Sequence, residues 1–304
     1  MSRADGGGVS RADGGGVSRA DGGGVSRADG GGVSRADGGG VSRADGPGGC
    51  GRAGAGVLQV ALNGSRDAAD GAAVPLSPGD LARSALEAVA AGAGEVLVHP
   101  RTPCGRESLS PRVVGPLLEE MRGAGVRVPL TVPAGVTAEP DPAGRLERVR
   151  SWTVLPDRAA VPFAEPGARE LAAALLERGV AVDAVVPLGG GAGPEPLARF
   201  LEWAVPEPAR VRLVAELAEA DPALVAGLGW LPPVPVVLYG REDAAWPVLR
   251  LAARCGAGAR IGVAQVLRLP DGRAARSNAE LVAAAVGLGA AAATGTATGT
   301  AGSR

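Results

Sequence analysis

The sequence contains no lysine, so all 31 of its basic side chains are arginines. Catalysis through a Schiff base on a lysine amine is therefore excluded. The net charge of −1 leaves no excess of positive charge for nucleic acid or for an anionic membrane surface. The aromatic content of 2% also argues against stacking on nucleic-acid bases. We therefore expect a small-molecule ligand, with no nucleic acid and no membrane as partner.

Cysteines and long apolar segments are also few. Cys50, Cys104 and Cys255 lie far apart without a Cys-x-x-Cys motif, so neither a zinc knuckle nor a disulfide framework is predicted. No apolar run reaches the ~18 residues of a transmembrane helix, and the N-terminus lacks the apolar segment of a signal peptide. We expect a cytoplasmic protein, because a reducing compartment suits free thiols.

Both ends of the chain have low complexity. Residues 2–41 repeat the octad Ser-Arg-Ala-Asp-Gly-Gly-Gly-Val five times. One valine per octad cannot offset the entropy lost on ordering so much glycine, which predicts a disordered tail over residues 1–49. A calcium-binding repeat is the alternative, but such repeats need more carboxylates. Residues 290–304, rich in Ala, Gly and Thr, form a second predicted tail of low complexity.

The segment between these tails alternates strand-like and helix-like patterns. Apolar runs such as Val57–Leu62 are typical of buried strands, and Ser77 followed by Pro78 is typical of a helix start. Eight such strand–helix units predict a (β/α)8 TIM barrel, an α/β fold, over residues 50–289. An open, doubly wound sheet is the alternative, but its glycine fingerprint is missing after the first strand, where residues 63–66 read Asn-Gly-Ser-Arg.

Polar side chains follow many of the predicted strands, and in a barrel such positions share one mouth. Arginines there can clamp a carboxylate, and carboxylates can act as bases or metal ligands. The alternative is that these groups pair with one another in structural ion pairs. Gly189–Gly191 can cradle a phosphate, but a slack loop is favoured in so glycine-rich a chain. The mouth positions are Asn63, Arg66, His99, Arg101, Glu165, Asp183, Glu216, Tyr239, Arg241, Arg260 and Gln265.

His99 is the only histidine in the chain, and it directly follows the predicted second strand, Glu95–Val98. The carboxyl ends of such strands are where barrels bind their ligands. Two interpretations of His99 remain open at this point. It is either a metal or substrate ligand, or a residue that caps the strand through hydrogen bonds to the backbone.

Several short sequence motifs are spread over nearly the whole segment between the two tails, and in combination they are characteristic of one protein family. They include Ala61–Arg66, Ala73–Pro78, His99-Pro100-Arg101 followed by Gly105–Leu109, Trp152–Asp157, Glu165–Ala168, Ala245–Leu249, Arg260–Gly262, Leu269–Gly272 and Asn278–Val282. In this combination the sequence resembles the β-keto acid cleavage enzymes, the family that includes 3-keto-5-aminohexanoate cleavage enzyme.

The resemblance implies a zinc-dependent barrel enzyme. Such enzymes react a β-keto acid with acetyl-CoA and release acetoacetate and a new CoA ester. Their zinc is held by a His-x-His pair after the second strand and by a glutamate after the eighth. A divalent ion there polarises the keto group and stabilises an enolate, while an arginine holds the carboxylate. Barrels of this kind commonly form homo-oligomers.

The sequence departs from the family pattern at the metal. Of the three ligand positions only His99 remains, because the other two are occupied by Leu97 and Ala264. The resemblance aligns Arg260 with the catalytic arginine and Asp183 with an acidic position after the fifth strand. Replacement ligands from Glu165, Asp183 or Glu216 would favour magnesium or manganese over zinc.

Among the polar residues at the mouth, we expect those at the first, second and fourth strand ends to bind the substrate. These residues are Asn63, Arg66, Arg101 and Glu165.

Three functions are compatible with this sequence. The first is the family's cleavage reaction, impaired by the two missing metal ligands. The second is a catalytically silent barrel that binds a carboxylate or a CoA ester, or that serves as a scaffold. The third is a metal-independent reaction that uses Arg260, Arg101 and a carboxylate base.

Overall fold

The computed structural model describes residues 56–228 and 234–290. The octad repeats over 1–49 and the second predicted tail, apart from its first residue, lie outside the described residues. Within 56–228 and 234–290, no helix has both the length and the apolar character needed to cross a membrane.

Eight parallel strands close into a barrel in which each strand pairs with the next, and the eighth pairs with the first. This confirms the predicted (β/α)8 barrel and rules out the open sheet. The strands are β1 (Leu58–Ala61), β2 (Glu95–Leu97), β3 (Leu130–Pro133), β4 (Arg158–Pro162), β5 (Ala181–Leu188), β6 (Val211–Leu217), β7 (Val236–Tyr239) and β8 (Gly258–Ile261).

A helix follows each strand and packs against the outside of the barrel. Several helices begin with a side-chain cap and a proline, as the sequence predicts: Ser77 accepts a hydrogen bond from the backbone N–H of Asp80, and Asp141 accepts one from Gly144. The helices are α1 (Pro78–Ala90), α2 (Pro111–Gly123), α3 (Pro142–Arg150), α4 (Ala168–Glu177), α5 (Glu195–Leu201), α6 (Pro222–Gly227), α7 (Ala245–Cys255) and α8 (Asn278–Gly287).

The main hydrophobic core lies between the strands and this ring of helices. Outward-facing strand residues such as Val60 and Val96 are fully buried beneath helical residues such as Leu81 and Leu118. Trp152 packs in this core and donates its indole N–H to the carbonyl of Leu109 over 2.8 Å. The core therefore holds the barrel together from outside and leaves the interior of the barrel to a different set of side chains.

The interior of the barrel carries a layer of polar and charged side chains at the amino-terminal half of the strands. We call it the charge layer, and it comprises Gln59, Glu95, Thr131, Arg158, Asp183, Arg212 and Arg260. Asp183 belongs to this layer, since it lies inside β5 and is fully buried. The prediction that Asp183 follows the strand at the mouth is therefore wrong, because its position within β5 turns it into the barrel interior.

Asn278, the first residue of α8, ties this helix to the ends of two strands. Its side-chain oxygen accepts a hydrogen bond from the Val263 N–H over 2.9 Å, and its amide donates to the Leu62 carbonyl over 2.9 Å. Both bonds are buried, so losing the side chain leaves an N–H and a carbonyl without partners.

We expect Asn278→Ala to lower the free energy of unfolding by about 2–4 kcal/mol, the cost of two unsatisfied buried groups. Urea denaturation of the full chain measures this, with the exposed Arg83→Ala as the control. A loss no larger than that of the control would show that Asn278 is not a structural tie.

Candidate binding site at the barrel mouth

The carboxyl ends of the strands surround a cavity of about 270 Å³, which we call the mouth cavity. It is close to the lower end of the size range of small-molecule pockets, ~300–1,000 Å³. The structure brings several of the residues selected from the sequence to its wall, namely Leu97, His99, Glu165, Glu216, Arg260 and Ala264.

His99 is held in place through its backbone by Asn63. The Asn63 amide donates to the His99 carbonyl over 3.0 Å, and its oxygen accepts from the His99 N–H over 2.9 Å. Asn63 is fully buried, and its side chain supports His99 from behind the cavity wall. The side chain that bonds to the backbone here is thus that of Asn63, and the Nδ1 atom of the His99 imidazole makes no such bond.

The imidazole of His99 is neutral in this environment. Burial lowers the pKa of His99 to about 3, and the positive charges of Arg101, Arg260 and Arg241 add to this effect. Its Nδ1 atom is buried and has no hydrogen-bond partner. His99 therefore offers the cavity a neutral ring with one nitrogen still to be satisfied.

The two residues that the family resemblance aligns with the other metal ligands form an apolar surface beside His99. Leu97 and Ala264 pack together with Ala61 and Ala160 in one buried cluster that reaches the mouth cavity. Neither side chain has an atom that can coordinate a metal. In the described part of the chain, no group of three or more His, Cys, Asp or Glu side chains is placed to hold a metal ion.

The carboxylates near the cavity already accept hydrogen bonds from other groups of the protein. Both oxygens of Glu165 accept from the Val136 N–H, at 3.1 and 2.9 Å, and Arg145 lies 3.6 Å away. Glu216 accepts hydrogen bonds from the Tyr239 hydroxyl and, over 2.7 Å, from the Arg241 guanidinium. The residues present therefore do not fit a zinc, magnesium or manganese site.

Two arginines were predicted to bind the substrate, but both form hydrogen bonds that stabilise loops. Arg66 donates to the Val263 carbonyl over 2.5 Å and pairs with Glu242, and it does not line the mouth cavity. Arg101 donates to the Gly64 carbonyl over 2.6 Å and to the Gly105 carbonyl over 3.1 Å. The Nε atom of Arg101 is nevertheless buried without a partner.

Arg260 reaches the cavity from the charge layer below it. Its Nε donates to Gln59 Oε1 over 2.6 Å, and its guanidinium carbon lies 4.8 Å from the centre of the Tyr239 ring. Its Nη2 is 3.7 Å from Asp183 Oδ2 and has no hydrogen-bond partner. The structure thus brings Arg260 and Asp183 into a loose contact inside the barrel.

Sequence reasoning missed most of the charge layer. Gln59, Glu95, Arg158 and Arg212 lie at the amino-terminal ends of their strands, whereas the positions predicted from the sequence follow the carboxyl ends. The available signal was the alternation of residues along each strand, which places every second side chain inside the barrel. Applied to β4, for example, it would have paired Arg158 with Ala160 and Pro162 as inward-facing residues.

Buried polar atoms without partners concentrate around the mouth. In residues 56–228 and 234–290, five buried side-chain polar atoms have no hydrogen-bond partner, and four of them belong to residues at this end of the barrel. Such atoms are rare in folded proteins, and a group of them in one place marks a candidate site for a polar ligand or for bound water. The four atoms are His99 Nδ1, Arg101 Nε, Arg260 Nη2 and Gln265 Oε1.

Comparison with protein families assigns this barrel to a class of enzymes. The model of the beta-keto acid cleavage enzymes matches residues 56–180 and 204–301, which is most of the chain. The protein belongs to the β-keto acid cleavage enzyme family. This confirms the resemblance derived from the sequence.

Solved structures show the same fold at low sequence identity. A ternary complex of ObcA with a C4-CoA adduct and oxalate is 14% identical, with a TM-score of 0.52, and the match covers 72% of this chain and 65% of ObcA. ObcA bound to oxaloacetate gives a TM-score of 0.51 at 14% identity, with the same coverage. This chain thus spans about 65% of the length of ObcA.

A type I 3-dehydroquinate dehydratase from Clostridium difficile, covalently modified by comenic acid, has 15% identity and a TM-score of 0.51. That match covers 78% of this chain and 93% of the dehydratase. At these identities the similarity establishes the fold alone. A comparison with curated proteins gave no match.

Proposed function

We propose that this member of the family binds a small carboxylate of the β-keto acid class at the mouth cavity, without a divalent metal. The observation that carries the proposal is the group of buried, unpartnered polar atoms at the mouth. Of the cavity-lining residues among them, Arg260 contributes a guanidinium nitrogen, which donates hydrogen bonds and carries positive charge. A carboxylate is the ligand group that suits such donors best.

The cavity wall divides into a polar side and an apolar side. Arg260 Nη2 and the neutral ring of His99 would hold a carboxylate, and Gln265 Oε1 would accept a hydrogen bond from a hydroxyl or enol on the same ligand. Leu97 and Ala264 would contact its carbon chain. The resemblance aligns the same two residues with ligands of the family's metal, so we expect no metal-polarised keto group here.

The family's acetyl-CoA-dependent cleavage is the second candidate function. Family membership supports it, and an ObcA structure holds a C4-CoA adduct together with oxalate. An arginine aligned with the family's catalytic one is also present at the cavity, as Arg260. Against it stands the lack of metal-coordinating atoms on Leu97 and Ala264.

Binding is tested on the full chain by isothermal titration calorimetry with acetoacetate and with its neutral counterpart, acetoacetamide. We expect acetoacetate to bind at least about tenfold more tightly, because a charged hydrogen bond contributes ~1.5–3 kcal/mol. Arg260→Met removes the free donor and is expected to abolish this preference. Arg83→Met, on the exposed face of α1, is the matched control and should bind as the wild type does.

Equal binding of acetoacetate and acetoacetamide would contradict the proposal, as would an Arg260→Met variant with unchanged affinity. A separate assay measures acetyl-CoA-dependent turnover of a panel of β-keto acids, with and without added zinc. We expect no turnover above the rate of a protein-free control. Robust zinc-dependent turnover would establish the second candidate function.

A further inference from the structure

The charge layer below the mouth cavity is not electrically balanced. It contains three guanidinium groups, those of Arg158, Arg212 and Arg260, and only two carboxylates. The carboxylates belong to Glu95 and Asp183, and all of these side chains except Arg158 and Glu95 are at most 5% exposed. One positive charge of the layer therefore lacks a counter-charge.

The hydrogen bonds show which guanidinium carries that excess. Arg212 makes two bonds to Asp183, at 2.8 and 2.7 Å, and two to Glu95, at 3.0 and 2.5 Å. Arg158 Nε donates to Asp183 Oδ1 over 2.6 Å. Arg260 makes no hydrogen bond to a carboxylate, and its only charge contact is the 3.7 Å approach to Asp183.

The pKa shifts of the two most buried arginines in the charge layer also identify Arg260 as the one without a counter-charge. Burial lowers the pKa of Arg260 below its usual value. Burial acts in the same direction on Arg212, but the charges of Asp183 and Glu95 outweigh it and raise the pKa of Arg212. On the far side of Tyr239, Arg241 and Glu216 pair with each other and leave Arg260 uncompensated.

The partner that Arg260 does have is the neutral amide of Gln59. Gln59 Oε1 accepts from Arg260 Nε over 2.6 Å, and Gln59 Nε2 donates to Glu95 Oε2 and to Thr131 Oγ1, each over 3.1 Å. Gln59 is fully buried, and these three bonds orient its amide unambiguously. A single group at position 59 thus decides both the orientation of Arg260 and the charge placed against it.

We propose that Gln59 sets the charge selectivity of the mouth cavity. By holding Arg260 Nε with a neutral amide, it leaves one positive charge beside the cavity wall for a singly charged anion to neutralise. The inference rests on the proposed function and adds the charge of the ligand to it. Gln59 does not line the cavity, so it is a positioning residue that acts through Arg260.

The physical reason is the cost of an uncompensated charge in a barrel interior. A buried charge is destabilising unless another charge or several hydrogen bonds accompany it. A bound carboxylate supplies the missing counter-charge and is stabilised by its attraction to Arg260. A neutral ligand of the same shape supplies no counter-charge. The excess charge of the layer is therefore converted into a preference for anions.

Two substitutions at position 59 separate charge from orientation. Gln59→Glu keeps the shape and an acceptor for Arg260 and adds a carboxylate, which faces Arg260 on one side and Glu95 on the other. Because repulsion from Glu95 offsets part of the added charge, we expect the preference for acetoacetate over acetoacetamide to fall several-fold. Gln59→Met removes the acceptor and keeps the charge excess, so acetoacetate should bind more weakly while the preference for it persists. Calorimetry on the full chain measures both ligands.

Glu95→Gln provides a test of opposite sign. It removes one carboxylate from the layer, so the preference for acetoacetate over acetoacetamide should rise several-fold. Circular dichroism of each variant verifies folding, and if Gln59→Glu does not fold, Glu95→Gln decides alone. An unchanged preference in the folded variants would overturn the inference and leave the proposed function intact. If the wild type binds no acetoacetate at all, the proposed function itself fails.

Discussion

Asp183→Asn is expected to lower the free energy of unfolding by about 3–5 kcal/mol, the usual cost of removing one partner from a buried ionic network. The carboxylate of Asp183 is fully buried and hydrogen-bonds to both Arg158 and Arg212. Asparagine has nearly the same shape, but it leaves three guanidinium groups facing the single carboxylate of Glu95. Urea denaturation of the full chain measures the loss.

Glu202→Gln is the matched control for this substitution. Glu202 also pairs with an arginine, Arg169, but its side chain is 69% exposed. Exposed pairs contribute ~0–1 kcal/mol, so this variant should be nearly as stable as the wild type. If Asp183→Asn costs no more than Glu202→Gln, Asp183 does not organise the barrel interior.

The same carboxylate gives the protein a defined acid sensitivity. Burial acts to raise the pKa of Asp183, but the charges of Arg212 and Arg158 outweigh it and lower the pKa to about 2. A pKa lowered by folding contributes stability above the unfolded value of ~3.9, and this stability is lost as the pH falls toward 2. We expect this part of the pH dependence between pH 4 and pH 2 to be missing in Asp183→Asn.

The second large effect is a gain of metal binding in the double variant L97H/A264E. Leu97 and His99 both line the mouth cavity from the end of β2, and Ala264 packs against Leu97 in the same cluster. The two substitutions supply the missing imidazole and carboxylate, which completes the three protein ligands of a typical catalytic zinc site. We expect one zinc ion per chain, with a Kd below about 1 μM.

Competition with a chromophoric chelator measures this affinity, and elemental analysis measures the stoichiometry. The wild type should hold no stoichiometric zinc under the same conditions. L97H/A264Q lacks the carboxylate, and the triple variant L97H/H99A/A264E lacks one imidazole. Both should therefore bind zinc at least about tenfold more weakly than L97H/A264E does. A wild type that binds zinc as tightly as L97H/A264E would refute the argument that Leu97 and Ala264 prevent metal binding.

Local sequence patterns were enough to predict the barrel. Runs such as Val57–Leu62 are apolar because outward-facing strand residues pack under helices, and Ser77 with Pro78 marks a helix start through backbone chemistry alone. The observed β1 and α1 lie within these predicted limits, at Leu58–Ala61 and from Pro78. Strand and helix signals of this kind depend on neighbours a few residues apart, which is why they can be detected without a structure.

The candidate site was only partly predictable. His99, Arg260, Leu97 and Ala264 were identified from their order along the chain, and all four line the mouth cavity. Arg66, in contrast, was expected to bind substrate but is committed to Val263, nearly two hundred residues away in the sequence. Contacts between loops so distant in sequence leave no local pattern.

The order of residues was enough to predict a barrel of the β-keto acid cleavage enzyme family, and the resemblance aligns apolar side chains with two ligand positions of the family's metal. The depth of Asp183, the neutral partner of Arg260 and the excess positive charge below the cavity became visible in the folded barrel alone. The reason is physical: an amino-acid type specifies which charge a side chain carries, but closure of the barrel specifies which charges meet. Gln59 and Arg260 lie 201 residues apart in the chain and 2.6 Å apart in the structure.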